Sequence, residues 1–244
     1  MFEVLSNADM YQADQFAIAH GISEATLMEN AGQSVAREIK ARFKPTKTVI
    51  VCGPGNNGGD GYVIARALAQ DGWPVRAVVL GPPERLSQTA KAMADLWNEM
   101  KNASCQPASI DDFEQAGLIV DALFGAGLSR DVTGTVADIV NAINESPAPV
   151  VSVDIPSGIN GNTGRVSGIS VHADLTVTFF RKKRGHVLMP GLERAGKTIC
   201  YNIGIPQTAL TTLAKSFPEE NAPPLWRAAF PHKTRSAHKY THGH

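Results

Sequence analysis

The chain has 244 residues, and its 23 Lys and Arg balance 23 Asp and Glu, leaving no net charge to hold a nucleic acid or an acidic membrane surface. Hydrophobic residues at 43% and charged residues at 19% exclude a disordered chain, and the length allows one or two domains. Three scattered cysteines (Cys52, Cys105, Cys200) exclude a disulfide framework, Met1-Phe2-Glu3-Val4 is not a secretory signal, and no apolar run nears the ~18 residues of a spanning helix, so a cytoplasmic protein is expected.

From Ser6 to Phe43 the apolar spacing is helical, with Ser6 as N-cap and Asp9 completing an imperfect capping box. Gly21 divides this stretch, and a second helix from Ser23 carries Leu27, Met28, Val35 and Ile39 on one side. Lys47 to Cys52 is a β-branched run ending in Gly53-Pro54-Gly55, which reads as a buried strand and a turn. Cys52 within it reads as a small core hydrophobe. A helix over about 59–69 and a strand over 74–80 follow. A longer helix over about 87–100 turns Ala90, Met93, Leu96 and Trp97 towards the core. Leu118 to Leu123 is a strand, Thr135 to Asn144 a helix and Val150 to Ile155 a strand. Leu175 to Phe179 and Thr198 to Tyr201 read as two more strands.

This alternation of nearly all-apolar strands with helices predicts an α/β fold whose mostly parallel sheet is covered on both faces. Pro218 to Pro224 reads as a linker. The tail beyond it holds His232, His238, His242 and His244 among basic residues, without apolar periodicity or a standard zinc spacing.

Ligands of open α/β sheets bind beyond the carboxyl ends of the strands, and three strands here end in polar, glycine-bearing loops. The first loop runs Gly53-Pro54-Gly55-Asn56-Asn57-Gly58-Gly59-Asp60-Gly61. Its glycines at 53, 55 and 58 satisfy the dinucleotide pattern G-x-G-x-x-G, and its backbone N–H groups can meet a phosphate at a helix N-terminus. A conventional dehydrogenase is nevertheless disfavoured. No carboxylate stands directly at the end of the next strand, where Gly81-Pro82-Pro83 follows, and the loop carries side-chain amides and an acid that a plain pyrophosphate cradle does not need. The second loop places Asp121 at a strand end, followed by Gly125-Ala126-Gly127-Leu128-Ser129-Arg130-Asp131. The third is Asp154-Ile155-Pro156-Ser157-Gly158. Its acid and hydroxyl, with Asp121, can hold a cation through oxygens, or a carboxylate can act as acid or base if burial raises its pKa. Lys183 sits in a run of four basic residues, Arg181-Lys182-Lys183-Arg184, of a kind that is usually a solvated surface but could also neutralise a phosphate. His186 beyond it is more often a surface or core histidine than a catalyst.

With these loops laid out, the sequence resembles the NAD(P)H-hydrate epimerase family, the YjeF N-terminal domain. The segments that carry the resemblance are Leu27-Met28-Glu29-Asn30-Ala31-Gly32, the Gly53–Gly61 loop, Val120-Asp121-Ala122-Leu123-Phe124-Gly125 and Ser152-Val153-Asp154-Ile155-Pro156-Ser157-Gly158. Thr176-Val177-Thr178-Phe179 and Ile203-Gly204-Ile205-Pro206 extend it, so that it spans roughly residues 5 to 210. The resemblance implies a three-layer α/β/α Rossmann-like sandwich, often dimeric, that interconverts the R and S forms of hydrated NADH and NADPH. It implies substrate contacts at Asn56, Asn57, Gly58, Gly59 and Asp60, at Gly125, Ala126, Gly127, Leu128, Ser129, Arg130 and Asp131, and at Asp154 and Lys183. It also implies a potassium ion on Asn57, Asp121 and Ser157.

Arg235 to His244 resembles the opening of an ATP/ADP-dependent NAD(P)H-hydrate dehydratase domain. The expected division is therefore an epimerase domain over 1–215, then a linker and the start of a dehydratase-like domain over 216–244, without dehydratase activity in this chain. Asp154 is expected to be the acid/base. The rival readings are a nonenzymatic, dimerising or RNA-associated scaffold and the dehydrogenase. Retention of Asp60, Asp121 and Asp154 speaks against the first, as does neutral net charge.

Overall fold

The computed structural model describes residues 2–81, 86–101, 103, 105–213 and 216–230. The tail histidines and the dehydratase-like segment lie outside the described residues.

A two-residue strand β1 (Val4–Leu5) leads into helix α1 (Asn7–Ala19). The Ser6 hydroxyl accepts the Asp9 N–H at 3.1 Å and the Asp9 carboxylate accepts the Ser6 N–H at 3.0 Å, so aspartate closes a reciprocal capping box despite its short reach. Ser23 caps α2 (Glu24–Arg42), which buries Leu27, Met28, Val35 and Ile39 as the spacing predicts. Then come β2 (Thr48–Cys52), α3 (Asn56–Gln70), β3 (Val75–Val79), α4 (Gln88–Asn98), β4 (Cys105–Pro107) and β5 (Leu118–Ala122). Next are α5 (Thr135–Glu145), β6 (Val150–Val153), β7 (Leu175–Phe179), β8 (Lys182–Lys183), α6 (Gly191–Arg194), β9 (Lys197–Tyr201) and α7 (Thr208–Leu213).

Seven strands pair in the order β4-β3-β2-β5-β6-β7-β9, parallel at every junction. Side chains alternate across the sheet. Ile50, Cys52 and Val120 therefore join the core beneath α2, α3 and α4, while Val49, Val51 and Ile119 pack with Ile139 and Ile143 of α5 on the other face. Burial on both faces explains why these strands are continuously apolar. The result is the three-layer α/β/α sandwich.

Several boundaries differ from the sequence reading. α3 starts at Asn56 rather than near 59, because Gly55 takes the extended N-cap conformation and the two asparagines form its first turn. On α4, Trp97 is 1% exposed but Leu96 is 42% exposed, so Leu96 lies outside the core stripe. β6 stops at Val153, two residues early, because Asp154 turns to φ 66°. The edge strand β4 and the short parallel β1–β8 pair carry no apolar alternation and were not expected. Among the described residues, no helix is long and apolar enough to cross a membrane.

Candidate active site

The strand order changes direction between β2 and β5, which opens a crevice at their carboxyl ends. Two glycines let the three loops close on it. A Cβ at Gly53 would stand 1.8 Å from the Leu123 carbonyl oxygen, so only glycine allows the β2 and β5 loops to touch. A Cβ at Gly125 would stand 3.0 Å from Asp154 Oδ2 and 3.4 Å from Asn57 Oδ1, which marks the point where all three loops meet.

Asp154 is held from every side. Its N–H donates to the Val177 carbonyl at 2.8 Å, and its carbonyl accepts from His186 Nε2 at 2.7 Å, fixing a left-handed backbone that aspartate rarely adopts. The Lys183 N–H donates to His186 Nδ1 at 2.9 Å, so the histidine carries its proton on Nε2. Burial, with the Lys183 charge beside it, pushes His186 down to about 4 and keeps it neutral. The Asp154 carboxylate accepts from Lys183 Nζ at 2.5 Å and Thr178 Oγ1 at 3.1 Å on one oxygen, and from the Ala126 N–H at 3.0 Å on the other. Burial alone would push this carboxyl up. The Lys183 ammonium and these donors outweigh it and hold Asp154 below the usual carboxylate range. The sequence reading of the basic run as solvated surface is corrected here for two of its four residues, while Lys182 is half-buried and Arg184 exposed. Lys183 and Arg181 are buried at 3% and 2% exposure, one against Asp154 and the other between Glu3 and Gln207.

Asp121 lies beneath the loops, fully buried. It accepts from Ser157 Oγ at 2.5 Å, Ser152 Oγ at 2.8 Å, the Ser157 N–H at 2.9 Å and the Leu123 N–H at 3.3 Å. Burial raises its pKa, and these donors offset part of that. Asn57, whose Oδ1 stands with Asp154 Oδ2 around Gly125, is 8% exposed, and its Nδ2 is buried without a hydrogen-bond partner. A carboxylate, a hydroxyl and an amide are hard oxygen donors of low total charge, a set suited to a monovalent ion.

Above them lies a cavity of about 760 Å³, within the ~300–1,000 Å³ of small-molecule and cofactor sites. Asn56, Asn57, Asp60, Gly125, Ala126, Gly127, Leu128, Ser129, Arg130, Asp154 and Lys183 all line it. Gly58, Gly59, Asp131, Asp121 and Ser157 do not. Gly58 packs on the Gly53 backbone, Gly59 on Met28, and Asp131 is exposed outside the lining. The Asn56 side chain is engaged elsewhere, donating to Glu24 at 3.0 Å and accepting from Ser87 at 2.7 Å, so this residue offers the cavity chiefly its backbone at the start of α3.

The cavity also holds residues that the motifs did not mark. Asp14, Tyr11 and Ile18 reach it from α1, and Glu24 from α2. No loop signature surrounds them. The clue was an acid on a helix whose outward face keeps two large apolar side chains, and helical periodicity alone gives it no meaning. Asp60 has no side-chain partner among the described residues. Burial, then the charges of Asp154 and Asp14, push its carboxyl well above the usual range.

Comparison with known proteins places this arrangement among relatives. Residues 24–185 match the family described as YjeF-related protein N-terminus. An NAD(P)H-hydrate epimerase from Limosilactobacillus fermentum is 40% identical over 200 residues, covering 81% of this chain and 95% of the relative. A bifunctional NAD(P)H-hydrate repair enzyme Nnr from Thermofilum pendens is 41% identical over 201 residues, 78% of this chain but 38% of the relative. This chain thus spans about two fifths of such bifunctional proteins. The crystal structure of the yeast protein ynu0 superposes with a TM-score of 0.75 at 24% identity, covering 90% of this chain and 97% of the yeast chain, which supports the fold.

Proposed function

This chain belongs to the family of YjeF-related protein N-termini, and from that premise we propose that it is an epimerase interconverting the R and S forms of hydrated NADH and NADPH at ring carbon 6. The observation that carries the reading is the buried Asp154–Lys183 pair in the wall of a dinucleotide-sized cavity at the sheet's switch point.

Hydration makes ring carbon 6 a carbinolamine. The ring nitrogen can expel the hydroxyl to give a planar carbon that water attacks from either face, or the ring can open to an aldehyde and reclose. Both routes need a proton delivered to, and later removed from, an oxygen on that carbon. Asp154, kept ionised by Lys183, is free to accept that proton, while the same ammonium lowers its basicity and its pKa is not raised as an acid role would need. The start of α3 and Arg130 offer N–H groups and a positive charge to a pyrophosphate. Exposed Tyr11 and Ile18 at the cavity give an apolar surface for a base or sugar face.

Asn57, Asp121 and Ser157 would hold a potassium ion, which when bound supplies positive charge against the buried Asp121 carboxylate. The same reading couples this chain to an ATP/ADP-dependent dehydratase acting on one epimer, and takes it to be a homodimer in the cytoplasm, where its three free thiols stay reduced.

The test is stereochemical. Pure (R)-hydrated NADH is supplied and the S form followed by chromatography. The folded chain is expected to equilibrate the two forms well above the spontaneous rate. No acceleration would remove the epimerase reading and favour a noncatalytic scaffold.

A further inference from the structure

Inverting a carbinolamine carbon sends oxygen off one face of the ring and returns it to the other. A carboxylate fixed in one place serves one face of a ring held in one pose. Asp154 is so fixed, by Lys183, Thr178, Ala126 and His186, and its ionised state suits it to accept a proton rather than to donate one. The site therefore needs a donor on another wall.

Helix α1 supplies that wall. Asn7 at its start donates from Nδ2 to the Ala126 carbonyl at 2.5 Å and from its backbone to Asn162 Oδ1 at 2.8 Å, which ties the helix to the loops after β5 and β6. Residues seven apart share a helical face. Asn7, Asp14 and, four residues on, Ile18 accordingly line the same cavity as Asp154 and Lys183. Asp14 has no hydrogen-bond or ion-pair partner among the described residues, so its proton is not committed to a structural contact.

We propose that Asp14 is the second proton-transfer residue of this cavity, donating from the helical wall while Asp154 accepts from the sheet wall. The assignment rests on the epimerase reading. Asp14 as the acid protonates the hydroxyl on carbon 6. The C6–O bond breaks with its electron pair leaving on water, and the nitrogen lone pair forms the C6=N bond. A water on the other face then attacks carbon 6, the π pair returns to nitrogen, and Asp154 takes the surplus proton of that water. One proton has passed from Asp14 to Asp154, and exchange with solvent restores the starting state.

The charged groups facing Asp14 are Lys183 from β8, Asp154 beyond β6, Glu24 from α2 and Asp60 from α3. Burial, with the Asp154 and Glu24 charges working against Lys183, raises the Asp14 carboxyl to about 6. A donor of that pKa is protonated on the acid side, so the enzymatic rate should fall as pH rises through about 6.

The experiment measures R-to-S conversion between pH 5 and 8, corrected for the spontaneous rate, for the wild type, Asp14→Asn and Asp14→Glu, each checked for folding by thermal melting. In the wild type the rate should decline above about pH 6. Asp14→Asn should lose on the order of 100-fold in kcat at pH 5.5 with KM little changed, and should lose the decline. Asp14→Glu should recover part of the rate and the decline with it. A wild-type profile flat from pH 5 to 8, or an Asp14→Asn rate within twofold of wild type at pH 5.5, would overturn the proposal while leaving the epimerase reading intact. A wild type that does not accelerate conversion removes both.

Discussion

Lys183 contacts Asp154 at 2.5 Å with both side chains largely out of water, an arrangement in which removing one partner leaves the other charge uncompensated. Lys183→Met is therefore expected to destabilise the fold by about 3 kcal/mol in chemical denaturation. It should also raise the Asp154 carboxyl, moving the acid limb of the pH–rate profile upward, because Asp154 loses the charge that holds its proton off. Asp14 behaves in the opposite sense. Its folded pKa of about 6 lies above the unfolded value of 3.8, so the native state binds more protons between those values and loses stability as pH rises through them. Asp14→Asn should consequently melt higher than wild type at pH 7, by on the order of 1–2 kcal/mol, and match it near pH 3.5. Equal melting at both pH values would contradict the burial argument. At this scale the sequence was only partly legible. Asp154 and Asp121 announce themselves at the ends of apolar strands, whereas the inward turn of Lys183 and Arg181 within a basic run depends on partners distant in sequence, Asp154 and Glu3. Asp14 has no motif at all. Its meaning comes from the loops that α1 crosses.

The loops work as a unit because their backbones touch. Gly53→Ala would drive a methyl into the Leu123 carbonyl, and neither backbone can yield without separating β2 from β5. A loss of at least about 2 kcal/mol in stability is expected, together with loss of epimerase activity, read by melting and the stereochemical assay. A stable, active Gly53→Ala chain would mean that the loops have slack. Element types were legible from the apolar runs, because burial on both faces leaves the strands no polar side. Their ends were less so. β6 stops at Asp154 because His186 and Val177 fix a left-handed turn there, and α3 starts early because Gly55 serves as its cap. The edge strand β4 pairs through its backbone and an Arg76–Gln106 side-chain hydrogen bond, with its own side chains exposed, and leaves no hydrophobic signature.

The whole molecule brings together groups that the sequence spreads from Asn7 to Lys183, and the strand order decides where they meet. A cation bound by Asn57, Asp121 and Ser157 would couple the three loops to global stability. Melting temperature should then rise with potassium chloride relative to choline chloride at equal ionic strength, reflecting up to about 3 kcal/mol of added stability at a hundredfold excess over Kd. Asp121→Asn should abolish the difference, and a wild type indifferent to potassium would contradict the site. The role proposed for Asp154 is to take the proton in epimerisation of the hydrated nicotinamide ring. Its most direct test is Asp154→Asn in the R-to-S assay, with folding verified by melting. Asparagine keeps the shape but loses the base, so a fall of at least about 100-fold towards the spontaneous rate is expected. Full activity in a folded Asp154→Asn chain would contradict it.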